Sequence, residues 1–170
     1  MTKPPPTPRT PHDARSLARE AAGILADTLA EVNQPSGNRE RHRNQLARAI
    51  DLAKSAADCA AGDGKTFAEA LLTLTKAYAA RARDARQGVN QLSQASQRAP
   101  TRADCDDGWR KVKGIAKVAE ESAQEAMKCA KRLESKAARQ AAEMAAEAAQ
   151  DARRIFDERN CAYTLHPSPG

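Results

Sequence analysis

From Trp109 onward the apolar positions alternate in steps of three and four: Trp109, Val112, Ala116, Ala119, Ala123, Ala126, Ala130, Leu133 and Ala137. That spacing is the heptad seam of a helix that packs along another with a left-handed supercoil. At Gln140 the register gives way to Ala141, Met144, Ala148, Ala152 and Ile155, which follow a slightly longer period. No proline interrupts Thr101 to Arg159. The pattern therefore predicts one helix over that whole span, about 85 Å long at the helical rise. Thr101, with Asp104 three residues on, has the form of a capping box. Asp104, Asp106 and Asp107 suit the positive end of the helix dipole, and Arg153, Arg154 and Arg159 suit its negative end. Asn160 is the expected left-handed stop.

A seam made mostly of methyl groups lets backbones approach toward the lower end of the ~8–10 Å range for helix pairs. It also buries little area per contact, at about 25 cal/mol per Å². Such a seam must be long, or shared among several helices, to hold.

Three shorter helices are expected before it. The first runs from Pro11, a favoured first helical residue, to Val32, with Leu17, Ala21, Ile24, Leu25, Thr28, Leu29 and Val32 on one face. A turn at 33–37 leads to the second, Asn38 to Ala61, whose stripe is Leu46, Ala49, Ile50, Ala53, Ala56, Ala57 and Ala60. The third, Thr66 to Arg98, carries Phe67, Leu71, Leu74, Tyr78, Ala85, Leu92 and Ala95. Short connections make neighbours antiparallel. The expected fold is thus all-α: an elongated antiparallel helical bundle of about four helices with a long, coiled-coil-like C-terminal helix. Residues 11–160 form a single domain between a disordered Pro-rich tail, 1–10, and a flexible C-terminal tail, 161–170. In this arrangement residues 137–159 overhang the other helices and find no partner within the chain.

Composition narrows this further. Aromatics are 3% of 170 residues, with one tryptophan, which excludes a dense globular core. No alternating β-branched run suggests a sheet. Net charge is +6, from 28 Lys and Arg against 22 Asp and Glu, a modest excess that allows an acidic partner without requiring one. Cys59, Cys105, Cys129 and Cys161 form no CxxC pair, no leader-like apolar stretch opens the chain, and no apolar run reaches a membrane span. A cytoplasmic protein with free thiols is expected.

Each motif that hints at chemistry has a plainer reading. Gly64-Lys65-Thr66 resembles the tail of a phosphate-binding loop, but Cys59 stands where the first glycine is needed, and a helix stands where a strand is needed. Residues 104–108 glance at a calcium loop, yet Gly108 and Ile115 occupy positions that require oxygen ligands. His12, His42 and His166 are isolated, and the acidic residues lack the Glu-x-x-His units of di-iron bundles. No enzyme, no cofactor, no metal and no small-molecule substrate is expected. Pro5-Pro6-Thr7-Pro8 is read as part of the tail.

Two surfaces remain as candidates. Trp109, Ala141, Met144, Ala148, Ala152, Ile155 and Phe156 form the expected partner interface, for a second protein or a second copy of the chain, since an uncovered apolar stripe invites association. Arg39, Arg41 and Arg43 crowd the start of the second helix against its dipole, and Lys76, Arg81, Arg83 and Arg86 lie on the third. These fit an acidic partner or nucleic acid, or simply a solvated face. The expectation is a non-enzymatic helical interaction or scaffold protein, self-associating in the sense that its overhang needs cover; the alternative is a nucleic-acid-associated protein.

Overall fold

A computed structural model describes residues 11–31 and 39–162. The expectations for the Pro-rich tail, for Val32 and the turn at 33–37, and for the tail beyond 162 lie outside these residues. All regular structure among the described residues is helical, in five helices rather than four: α1 (Pro11–Glu31), α2 (Arg39–Cys59), α3 (Gly64–Gln97), α4 (Arg102–Lys131) and α5 (Lys136–Asp157). The chain divides into two compact units, Met1–Ala77 and Tyr78–Gly170, with the boundary inside α3.

In the first unit α1 packs on α2. α1 buries Ala14, Ala18, Ala21, Leu25 and Thr28, a clean alternation of four and three. α2 buries Leu46, Ala49, Ile50, Ala53 and Ala56, as the sequence indicates. Arg15 pairs with Asp63 at 3.0 Å, Glu20 with Arg48 at 2.9 Å and Glu31 with Arg41 at 3.4 Å. Numbers rise along α1 as they fall along α2, so the two run in opposite directions. The expected α1 face is turned: Leu17 and Ile24 are half-buried and Leu29 is exposed. Small residues occupy the line of closest approach, and the larger ones flank it. Ala70 of α3 meets Ala18 and Ala56, with Leu17 and Ala57 packed around them.

The α2–α3 connection explains the aborted phosphate loop. Gly62 takes φ +84°, the left-handed geometry that ends a helix and favours glycine. Asp63 then caps α3. Its carboxylate accepts from the Thr66 backbone N–H at 3.1 Å, the Thr66 hydroxyl at 2.7 Å and Arg15 Nε at 3.0 Å. These bonds, those from Thr66 first, hold the carboxyl down to about 2. Both groups that Thr66 would offer a phosphate are therefore engaged by Asp63.

In the second unit α3 turns at Pro100 and Thr101 caps α4, its hydroxyl accepting from the Asp104 N–H at 3.1 Å. The α4 seam is as read: Trp109, Val112, Ala116, Ala119, Ala123, Ala126 and Ala130 are all buried, and Cys105 continues it by one step toward the N-terminus. Beyond Ala130 the expectation fails. The helix stops at Lys131, and Ser135 caps a new one by accepting from the Ala138 N–H at 3.2 Å. Leu133 is half-buried in the turn, and Ala137 is exposed. α5 folds back on α4 and buries Ala138, Ala142, Ala145, Ala148, Ala149 and Ala152. Segment 137–159 is therefore no overhang. A straight rod would leave these methyl groups in water, whereas the turn sets one alanine seam against another, and such packing supplies most of a helix's stability. Glu120 pairs with Arg153 across the two helices at 3.1 Å, and Arg86 of α3 reaches Asp151 of α5 at 3.5 Å.

Two glycines of α4 behave differently. A Cβ at Gly108 would press on the Ser96 side chain, with Ser96 Cβ at 2.9 Å and its backbone Cα at 3.4 Å. Ser96 Oγ is itself engaged with the Leu92 carbonyl at 2.7 Å. At Gly114 a Cβ would meet nothing within 4 Å. Gly108→Ala is expected to lower stability by ~1–3 kcal/mol, because α3 and α4 must part. Gly114→Ala is expected to raise it by about 0.5–1 kcal/mol through helix propensity alone. Urea unfolding of the two variants measures both, and equal effects would contradict the packing described.

Candidate functional site

The open end of the α4–α5 pair carries a constellation that the linear sequence conceals. Cys105, in the first turns of α4, and Cys161, four residues past α5, are joined by a disulfide with Cα atoms 6.1 Å apart. Cys105 is 0% exposed and Cys161 7%. One turn along α4 from Cys105, the Trp109 indole N–H donates to the Asn160 carbonyl at 2.8 Å. Asp106 Oδ1 lies 4.0 Å from Cys161 Sγ. Arg159 covers the Phe156 ring at 4.4 Å from its centroid and donates to the Phe156 carbonyl at 3.2 Å. Together these groups form a clasp that fastens non-helical residues 159–161 across the start of α4. The bridge spans a sequence separation of 56 residues. Closing a loop of that length contributes about 4 kcal/mol in the chain-entropy account.

The clasp corrects two expectations. Cys105 and Cys161 are not free thiols but a disulfide, which Cys59 and Cys129 do not enter. Asn160 is not a left-handed stop: no non-glycine residue among those described has positive φ, and α5 ends at Asp157 with Glu158 as its C-cap at φ −87°. The carbonyl of Asn160 serves Trp109 instead. Neither cysteine attracts notice in a straight rod, where the two would sit at opposite ends. Once the turn at 132–135 is recognised, they lie nearly equal distances either side of it, and that spacing is the signal.

The expected partner residues separate into two groups. Trp109, Ala148 and Ala152 are buried inside the protein. Ala141, Ile155 and Phe156 are half-buried, and Met144 is 45% exposed. Met127 and Leu29 are the other large apolar side chains left exposed among the described residues.

The basic residues are likewise divided. Arg86 is paired with Asp151 and Arg41 with Glu31. Arg43 is exposed and has interactions of its own. Arg39 is half-buried, with one guanidinium nitrogen, Nη2, buried and lacking a hydrogen-bond partner. Lys76, Arg81 and Arg83 are exposed along α3. The surface depressions are shallow and charged. One, between α4 and α5, is lined by Glu120, Gln150, Arg153, Arg154 and Asp157. Another lies between α1 and α2, along Leu17, Asn44, Arg48, Asp51 and Ser55. Among the described residues no three His, Cys, Asp or Glu side chains gather as a metal site, and no helix is long and apolar enough to cross a membrane. No protein-family model, curated protein or solved structure matches the chain.

Proposed function

We propose that the protein is a non-enzymatic helical interaction module, an antiparallel bundle that works through the outer faces of its helices and associates with a second copy of itself. The observation that carries this reading is the surplus of apolar side chains on α5. Its alanines at 138, 142, 145, 149 and 152 are taken up as the seam against α4, yet Ala141, Met144, Ile155 and Phe156 remain partly open to water. A helix apolar beyond the stripe its neighbour covers has a second face to place. The support is narrower than the sequence suggests, because α5 is packed on α4 and Trp109 is internal. A second copy fits because the charges around this face are mixed in sign, with Glu143, Glu147 and Asp151 among Arg139 and Arg154, and mixed surfaces can complement themselves about a two-fold axis.

Molar mass by light scattering tests the proposal. The whole chain is expected as an oligomer, and the double variant Met144→Glu, Ile155→Glu as a monomer of unchanged helical content. A monomeric parent at every concentration would refute self-association.

Nucleic-acid binding has one favourable observation, the exposure of Lys76, Arg81 and Arg83. Against it, Arg86 and Arg41 already have acidic partners. Absence of a gel shift at low salt, where phosphate contacts are strongest, would remove it. For location, the clasp supports oxidising surroundings rather than the cytoplasm.

A further inference from the structure

We infer that the middle of α4 carries a second binding face, a seat for the phosphodiester backbone of a nucleic-acid strand, centred on Gly114 and bounded by Arg110, Lys111, Lys113 and Lys117. It moves the nucleic-acid reading from α3 to α4 and stands apart from self-association.

Gly114 lies exposed in the interior of α4, and a Cβ there would meet nothing within 4 Å. Packing therefore does not require glycine at this position, as it does at Gly108. Glycine is the poorest helix former after proline, so the residue weakens α4 with no return inside the bundle. A local rule broken without internal compensation points to function.

The surroundings of Gly114 break a second rule. On a helix surface a residue is bordered by those three and four positions away. Here these are Arg110, Lys111, Lys117 and Val118, and Lys113 precedes the glycine. Arg110 with Lys113, and Lys113 with Lys117, are like charges at repulsive spacings. All four cations are exposed. Lys111 pairs with Asp107 at 3.3 Å, whereas Arg110, Lys113 and Lys117 have no carboxylate partner among the described residues. On the α5 side, Glu120 and Asp157 are both engaged by Arg153, at 3.1 and 3.3 Å. A multiply charged anion relieves both faults at once. Its oxygens draw the free cations together, and the bare backbone lets it settle where a side chain would hold it off.

The seat also selects the shape of the anion. Met127, the exposed large apolar side chain of α4, is about 20 Å further along the axis. The apolar centre of a protein partner would find nothing to meet at Gly114. Asp107 and Glu121 stand about 10 Å from Gly114 on either side along α4. They confine the positive zone to a band, and a plane of anionic lipid headgroups laid over α4 would press on both acids. A strand that crosses the helix at the band meets the cations alone. Contacts of this kind hold phosphates and carry no sequence information.

The experiment follows the fluorescence anisotropy of a labelled, mixed-sequence DNA strand with the full chain across a salt series. Binding is expected at low salt and should weaken steeply as salt rises. Lys113→Gln with Lys117→Gln should lower the affinity roughly tenfold and reduce the salt slope by about 1.4, the share of two phosphate contacts on a single strand. Gly114→Leu should also weaken binding, at unchanged salt slope and helical content, because it blocks the approach and removes no charge. Lys76→Gln with Arg81→Gln should bind as the parent does. No binding at low salt would overturn the inference together with the nucleic-acid reading. Loss of binding in the α3 variant, with the α4 variants unaffected, would overturn the inference alone. Binding to phosphatidylserine vesicles but not to the strand would also overturn it.

Discussion

Trp109→Ala is expected to lower the free energy of unfolding by about 3–5 kcal/mol, the range for removing a large aromatic from a packed interior. Trp109 is 5% exposed and stands where the α4 seam changes from alanine to larger side chains. Trp109→Phe separates bulk from polarity. It retains most of the ring and loses the N–H that Asn160 accepts at 2.8 Å. Because Asn160 is exposed, water can take over that carbonyl, and the cost is expected to be only about 1 kcal/mol. Urea unfolding followed by circular dichroism gives both numbers. Equal losses in the two variants would mean that the hydrogen bond, not the packing, is what Trp109 contributes.

The second large effect belongs to Cys161→Ser. Measured against the oxidised parent, it is expected to cost about 4 kcal/mol, since the unfolded chain regains the freedom that the bridge removes. The difference should disappear when both proteins are unfolded in a dithiol. The two substitutions are not expected to add. Cys105 and Trp109 are one helical turn apart, and Trp109 bonds to the residue next to Cys161, so each loosens what the other relies on. A strictly additive double variant would indicate that the disulfide and the indole act independently.

The seams show what a linear reading can and cannot recover. Trp109 to Ala130 is legible because each seam position has a charged or polar residue on at least one side, and steps of three and four link the positions without a break. α5 offers several registers at once, with alanine pairs at 141–142, 145–146 and 148–149. Period alone cannot choose between the face with Met144 and the face with Ala145, and the structure buries Ala145 and exposes Met144. The turn at 132–135 was hidden for a related reason. It contains neither proline nor glycine, and its one clear mark is Ser135, which accepts the Ala138 N–H. With that turn unseen, Cys105 and Cys161 were about 84 Å apart at the helical rise, and no pairing could be considered. On α1, hydrophobicity favours a leucine-centred face over the alanine-centred one that the structure buries. In a closely approached pair the smallest side chains take the centre, as Ala14, Ala18 and Ala21 do.

The paired alanine seams also bear on how the native state is reached. Each seam joins helices adjacent along the chain, α1 with α2 and α4 with α5, so the ordering contacts lie close in sequence. Alanine has no rotamers to freeze, and short-range contacts demand little loop closure. Such hairpins zip from their turns outward, and the chain ends meet last. The sulfurs of Cys105 and Cys161 are thus brought within reach only after the helices between them have assembled, so bond formation records a completed hairpin instead of directing it.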